Sequence, residues 1–144
     1  ETRRLPFLWG AGNKYQTTWF DNSMNNDVAT FAEQKDNPDS LYNTYKTLLN
    51  LRKSNIALKY GTFANLTVSD NRSMAAFTRT FVQGNYSNQV LVIHNFDNAT
   101  SKLPQSLLDL ISSRDGKVLY YSYGSYSNVM EAKTTLIIDL GRVD

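Results

Sequence analysis

Five carboxylates, Asp21, Asp27, Glu33, Asp36 and Asp39, lie close together in residues 1–39. A pair of such groups flanking a glycosidic bond can supply the acid and the base of sugar hydrolysis. These five lie in polar, turn-rich sequence, where solvated Asp and Glu are the default, and their spacing brings no two of them together. No catalytic residue is therefore assigned. His94 is the single histidine, and it follows the most apolar run of the chain, Val90-Leu91-Val92-Ile93. With no second His, no Cys and no G-x-S-x-G nucleophile signature beside it, His94 reads as a hydrogen-bonded structural residue. The same inventory yields neither a metal site nor a cofactor. Tyr120, Tyr121, Tyr123 and Tyr126, with Gly124 and Ser125 among them, make an aromatic patch whose faces could stack on sugar rings. Strand alternation sends Tyr121 and Tyr123 one way and Tyr120 the other, which puts part of the set into a core. Four sequons, at Asn65, Asn71, Asn85 and Asn98, are expected by chance in so Asn-rich a chain.

The elements that must position these residues change character along the chain. Residues 1–39 are rich in Asn, Asp, Gly and Thr and show no sustained period, so they read as loop. Pro6, Phe7, Trp9, Tyr15, Trp19 and Phe20 are nevertheless too apolar for a free tail, and Trp9 and Trp19 must bury against the strand-rich part of the chain, bury against another copy, or stay exposed and mobile. Ser40 to Ser54 is the best helix: Leu41, Tyr42, Tyr45, Leu48 and Leu49 gather into one stripe, Asp39 or Ser40 can cap its start, and Arg52 and Lys53 suit its C-terminal end. Asn55 to Lys59 reads as a connector. Strands are expected at Gly61–Val68, Ser73–Phe81, Gln89–Phe96, Lys117–Tyr123 and Thr134–Leu140, with a short one within Asn98–Leu103, and Gly84–Asn88 as a hairpin loop. Val90 to Ile93 is apolar on both faces and belongs at the centre of a sheet. Ser106 to Ser112 is ambiguous between a helical turn and loop. The fold class is mainly β, an antiparallel sandwich or barrel.

Composition narrows the partners. At 144 residues the chain has the size of one domain with a real core. Fifteen Lys and Arg against thirteen Asp and Glu give +2, with no basic run beyond Arg3-Arg4 or Arg52-Lys53, so nucleic acid is not implied. No apolar run is long enough to span a membrane, and no export signal is visible. Zero Cys excludes disulfides and thiol chemistry without fixing the compartment; an extracellular or cell-surface setting is favoured over the cytoplasm. Glu1 in place of a starting Met suggests a processed or excised chain.

Three blocks carry a resemblance. Arg4-Leu5-Pro6-Phe7-Leu8-Trp9 resembles the R-x-P-x-x-W segment after the eighth barrel strand of the α-amylase family of glycoside hydrolases. Asn26 to Lys53 resembles that family's N-V-x-x-Q-x-x-D-P-x-S-L-x-N-x-Y-K-x-L-x-x-L-R-K stretch, through Val28, Gln34, Asp39, Ser40, Leu41, Asn43, Tyr45, Lys46, Leu48, Leu51, Arg52 and Lys53. Met74 to Arg79 and Val90 to Phe96 resemble two strands of its C-terminal β-domain, which usually ends N-F-S. The sequence departs from the family in having Ile56 where Pro is frequent, and in lacking a Pro-rich turn near Leu140 to Asp144.

The resemblance implies that residues 1–55 are the end of a (β/α)8 barrel, a loop and its last helix, and that residues 56–144 are an antiparallel β-sandwich domain appended to it. It implies a parent that cleaves or transfers α-glucosidic bonds with retention, using a nucleophilic Asp, an acid/base Glu and a third Asp on the fourth, fifth and seventh barrel strands. None of those strands is in this sequence, and catalytic residues of such barrels come from several strands at once. The expectation is a non-catalytic C-terminal piece whose partner is the catalytic barrel of its own parent, and whose uncovered helix stripe could also drive self-association. An α-glucan-binding module in the β-domain, through the patch Tyr120 to Tyr126 with Tyr121, Tyr123 and Tyr126 as its sugar contacts, is the competing expectation, and a complete small hydrolase a third; the resemblance also places Arg4 and Trp9 in a loop bordering the active-site mouth, as sugar contacts or as the framework that holds that loop.

Overall fold

The computed structural model describes residues 5–17, 27–68 and 73–143. The chain divides into two compact units, Glu1–Asn50 and Leu51–Asp144.

In the first unit the expected loop contains a helix, α1 (Phe31–Asp36), followed by α2 (Leu41–Ser54), which continues into the second unit. A reciprocal capping box starts α1: the Thr30 hydroxyl accepts from the Glu33 amide, and the Glu33 carboxylate accepts from the Thr30 amide at 2.7 Å. That local signal lies inside a segment without period, which is why periodicity missed it. Three side chains hold α1 to the start of α2. Ser40 Oγ donates to the Gln34 carbonyl at 2.6 Å, Asn43 Nδ2 donates to the carbonyls of Gln34, Lys35 and Asn37, and Gln34 Oε1 accepts from the Tyr42 amide. Of the two candidate caps for α2, Ser40 takes the role, accepting from the Asn43 amide at 3.2 Å.

The second unit opens on α3 (Ile56–Tyr60), where a connector was expected. Asn55 caps it by accepting from the Leu58 amide, and Arg52 donates to the carbonyls of Leu58 and Lys59 at its far end. A short capped turn of this kind has too few residues to show a period. Among the described residues seven strands follow: β1 (Thr62–Leu66), β2 (Met74–Gln83), β3 (Tyr86–Asn95), β4 (Ser101–Lys102), β5 (Lys117–Tyr121), β6 (Val129–Met130) and β7 (Thr135–Gly141). The ambiguous stretch is helix α4 (Gln105–Ser113). β6 was not anticipated; a two-residue strand leaves no alternation to read.

Five strands form one antiparallel sheet in the order β1-β2-β3-β7-β5, with β3 at its centre, and β4 pairs with β6 in a second, two-stranded sheet. The β2–β3 hairpin is tighter than expected. Gln83 pairs with Tyr86 across Gly84-Asn85, and Gly84 takes the left-handed φ of 56° that such turns demand. The core lies on the face where Met74, Ala76, Leu91, Ile93, Leu136, Ile138 and Leu140 meet Leu103, Leu107 of α4 and Met130 of β6. Fully burying a Leu or Ile is worth about 1.5–3 kcal/mol each, so this cluster carries most of the unit's stability. Among the described residues no helix is long and apolar enough to cross a membrane.

Candidate functional site

Asp27, Glu33, Asp36 and Asp39 are exposed, and Asp21 lies outside the described residues. Asp27 and Glu33 both line an open hollow of about 530 Å³ together with Leu8, Gly10, Gln16 and Thr30. Glu33 is already committed there: bonds from the Thr30 amide and then the Thr30 hydroxyl hold its carboxyl below the usual carboxylate range. A general acid needs the opposite shift, so Glu33 is a capping group. Among the described residues no three His, Cys, Asp or Glu side chains approach closely enough to hold a metal ion.

His94 sits on the sheet face opposite the core, with Nδ1 2.9 Å from Thr135 Oγ1 and its ring between those of Phe77 and Phe96. Burial pushes its pKa below 6.5, which favours the neutral ring. A neutral histidine bonded to a hydroxyl and flanked by rings is a packing residue here.

Of the residues expected to touch sugar, Arg4 lies outside the described residues. Trp9 is half-buried and finds its cover within its own unit, against Phe7, Phe31 and Tyr15 at ring distances of 4.8, 5.6 and 6.3 Å. Its amide donates to Gln16 Oε1, and its carbonyl accepts from the Ala32 amide. These contacts fix the Trp9 loop on the first turn of α1. Trp19 lies outside the described residues.

Tyr121 and Tyr126 are brought together, 6.1 Å apart and edge to face, and both pack against the core cluster. The Tyr121 hydroxyl accepts from the Glu131 amide at 2.9 Å. Burial, with Tyr121 adding to it, raises the Tyr126 pKa above 10. Tyr123 stands apart, 62% exposed. Of these three, Tyr121 and Tyr126 are framework rings set at 78° to one another and Tyr123 is exposed, so they form no coplanar platform.

Sequence reasoning passed over Asn95 as a chemical group, although it lies in a quoted motif. It is buried, its Nδ2 donates to the carbonyls of Ala99, Met130 and Glu131, and its Oδ1 accepts from the Asp97 amide. Gln34, Ser40, Asn43 and Arg52, which also belong to the quoted motifs, likewise lock helices and turns through their hydrogen bonds.

No family model matches the chain. Among curated proteins it is 31% identical over 142 residues to Alpha-amylase SusG of Bacteroides thetaiotaomicron, covering 92% of this chain and 19% of that protein. It is 34% identical over 99 residues to Alpha-amylase 3 of Dictyoglomus thermophilum, covering 65% of this chain and again 19% of the relative. In solved structures, the fold matches an α-amylase from H. orenii with a TM-score of 0.71 at 22% identity, covering 96% of this chain and 28% of that one. The class that sequence and fold define is the α-amylase family of glycoside hydrolases, to which this stretch of chain is homologous. The β-rich unit corresponds to that family's C-terminal β-domain, and the chain spans 19% of the length of the curated relatives it matches.

Proposed function

We propose that this chain is the non-catalytic C-terminal part of a retaining, α-glucan-acting glycoside hydrolase of α-amylase or α-glucosidase type. In this reading residues 1–55 finish the catalytic barrel, and the β-domain of residues 56–144 stabilises it. The observation that carries the reading is α2, in which no residue is buried: Leu41, Tyr45 and Leu49 are 66%, 62% and 61% exposed along one face. An amphipathic helix gains most of its stability by packing that face, so a surface must cover it. A barrel supplied by the parent is such a surface.

The test pairs sequence with activity. The coding sequence upstream of Glu1 is expected to supply barrel strands with the Asp, Glu and Asp of a retaining hydrolase. The longer protein should cleave a chromogenic maltoside, and the 144-residue chain should not. Turnover by the short chain would sink this reading. Exposed Tyr123 favours the second reading, an α-glucan-binding surface. Calorimetric titration with maltoheptaose is expected to give no heat; a saturable signal lost in Tyr123→Ala would establish it instead.

A further inference from the structure

The two outer strands of the five-stranded sheet differ in how their free edges are guarded. β5 opens on Lys117, and its pairing with β7 is interrupted by a bulge between Val118 and Tyr120. A charge and a bulge both keep an edge strand from taking a further partner. β1 has neither. Thr62-Phe63-Ala64-Asn65-Leu66 pairs with β2 in unbroken register from Thr62 on Thr80 to Leu66 on Ala76, contains no charged residue, Pro or Gly, and is exposed in its first four residues. Among the described residues no strand pairs with its outer side, so alternate residues turn their amide N–H and carbonyl groups to open surface.

Phe63 adds an apolar side chain to this unpaired backbone. It is 55% exposed and forms the free end of a line of rings, Phe63, Phe77, His94 and Phe96, with successive centroids 5.0, 5.9 and 5.5 Å apart.

The strand is complementary to itself. Antiparallel pairing of β1 with β1 of a second copy, centred on Ala64, sets Thr62 against Leu66, Phe63 against Asn65, and Ala64 against its own counterpart. No like charges meet, because the strand carries none. The twofold relation keeps corresponding faces of the two sheets together, and the two Phe63 side chains become diagonal neighbours with Cβ atoms about 7 Å apart, within reach of aromatic rings. Pairing of β1 with β5 of another copy would instead be head-to-tail and would grow without closing. Lys117 and the bulge oppose that arrangement and leave the closed pair.

We infer that β1 is a dimerisation edge, through which two copies of this chain join their five-stranded sheets into one continuous sheet. This goes beyond the function proposed above and does not depend on it. Five residues and one ring from each copy make an interface at the low end of specific ones, so the dimer is weak, with a Kd on the order of tens of micromolar, and dissociates on dilution.

Sedimentation equilibrium from about 1 μM to about 1 mM, on the 144-residue chain and on the longer protein, should show monomer and dimer exchanging in both. Ala64→Lys brings two ammonium groups face to face at the twofold axis and should weaken the dimer by about tenfold or more. Val82→Lys, exposed on the β2–β3 hairpin beyond the span of β1, should leave it unchanged. The pairing register has its own readout, since the chain has no cysteine. Ala64→Cys places two thiols on directly opposed residues, whose Cα atoms are about 4.5–5.5 Å apart and can carry a disulfide. Thr62→Cys places them four residues apart along the strand, about 13 Å, which a disulfide cannot span. Under mild oxidation the first should cross-link and the second should not. Monomers throughout, equal cross-linking at the two positions, or species that grow past the dimer would overturn the proposal. So would a dimer that is broken by Tyr45→Ser on α2 and survives Ala64→Lys, or a longer protein that stays monomeric while the 144-residue chain pairs, which gives the edge to the upstream chain.

Discussion

Replacing Asn95 by Ala removes the side chain that joins three turns of the second unit. Its carboxamide gathers the Ala99, Met130 and Glu131 carbonyls at 3.0, 3.2 and 2.9 Å and accepts from the Asp97 amide at 3.0 Å, with 1% of the residue exposed. One NH2 group has two hydrogens, so the three carbonyls share them, and the substitution costs about three hydrogen bonds. At a net contribution of about 1 kcal/mol each, the loss comes to roughly 3 kcal/mol. That is a large share of the 5–15 kcal/mol typical of a domain, and corresponds to a fall in melting temperature of at least about 12 °C. Asn95→Asp sharpens the argument. It keeps the shape and the Asp97 contact but turns a carboxylate oxygen towards three carbonyls, so at neutral pH it should destabilise at least as much as Ala. Urea denaturation followed by far-UV circular dichroism measures both. A loss below about 1 kcal/mol for Asn95→Ala, or wild-type stability for Asn95→Asp, would refute the reasoning.

Other perturbations follow from single contacts. Because burial holds the His94 pKa below 6.5, the unfolded chain takes up a proton first as pH falls. The stability present above about pH 6.5 is then lost as pH drops through the folded pKa, and melting between pH 7.5 and 5 should fall more steeply in wild type than in His94→Gln. An equal slope in the two would remove this account. Gly61→Ala should cost about 1–3 kcal/mol, because an added Cβ would lie 2.5 Å from the Ala57 carbonyl oxygen and 2.9 Å from Thr80 backbone atoms. Its φ of −61° is ordinary, so the cost comes from close approach, and a stability unchanged in urea would contradict it. Tyr121→Phe, which deprives the Glu131 amide of its acceptor, should lower the urea midpoint by the equivalent of about 1 kcal/mol.

Periodicity and turn chemistry by themselves determined the long elements. Ser40 to Ser54 carries a helical stripe, Val90 to Ile93 is apolar on both faces and becomes the central strand, and Leu136, Ile138 and Leu140 alternate into the core, because side-chain direction in regular structure follows from spacing alone. The short elements α1, α3 and β6 were not legible, since each is fixed by a cap or a distant partner rather than by a period. The motif positions Gln34, Ser40, Asn43, Arg52 and Asn95 stood out as residue types, but their work needs the carbonyls that tertiary folding brings to them. Only the three-dimensional arrangement decided that Tyr121 and Tyr126 are framework while Tyr123 is free, and that Phe63 joins Phe77, His94 and Phe96 in one open line. Those rings come from β1, β2, β3 and the residue just past β3, and their adjacency is set by strand register, which no local stretch of sequence encodes.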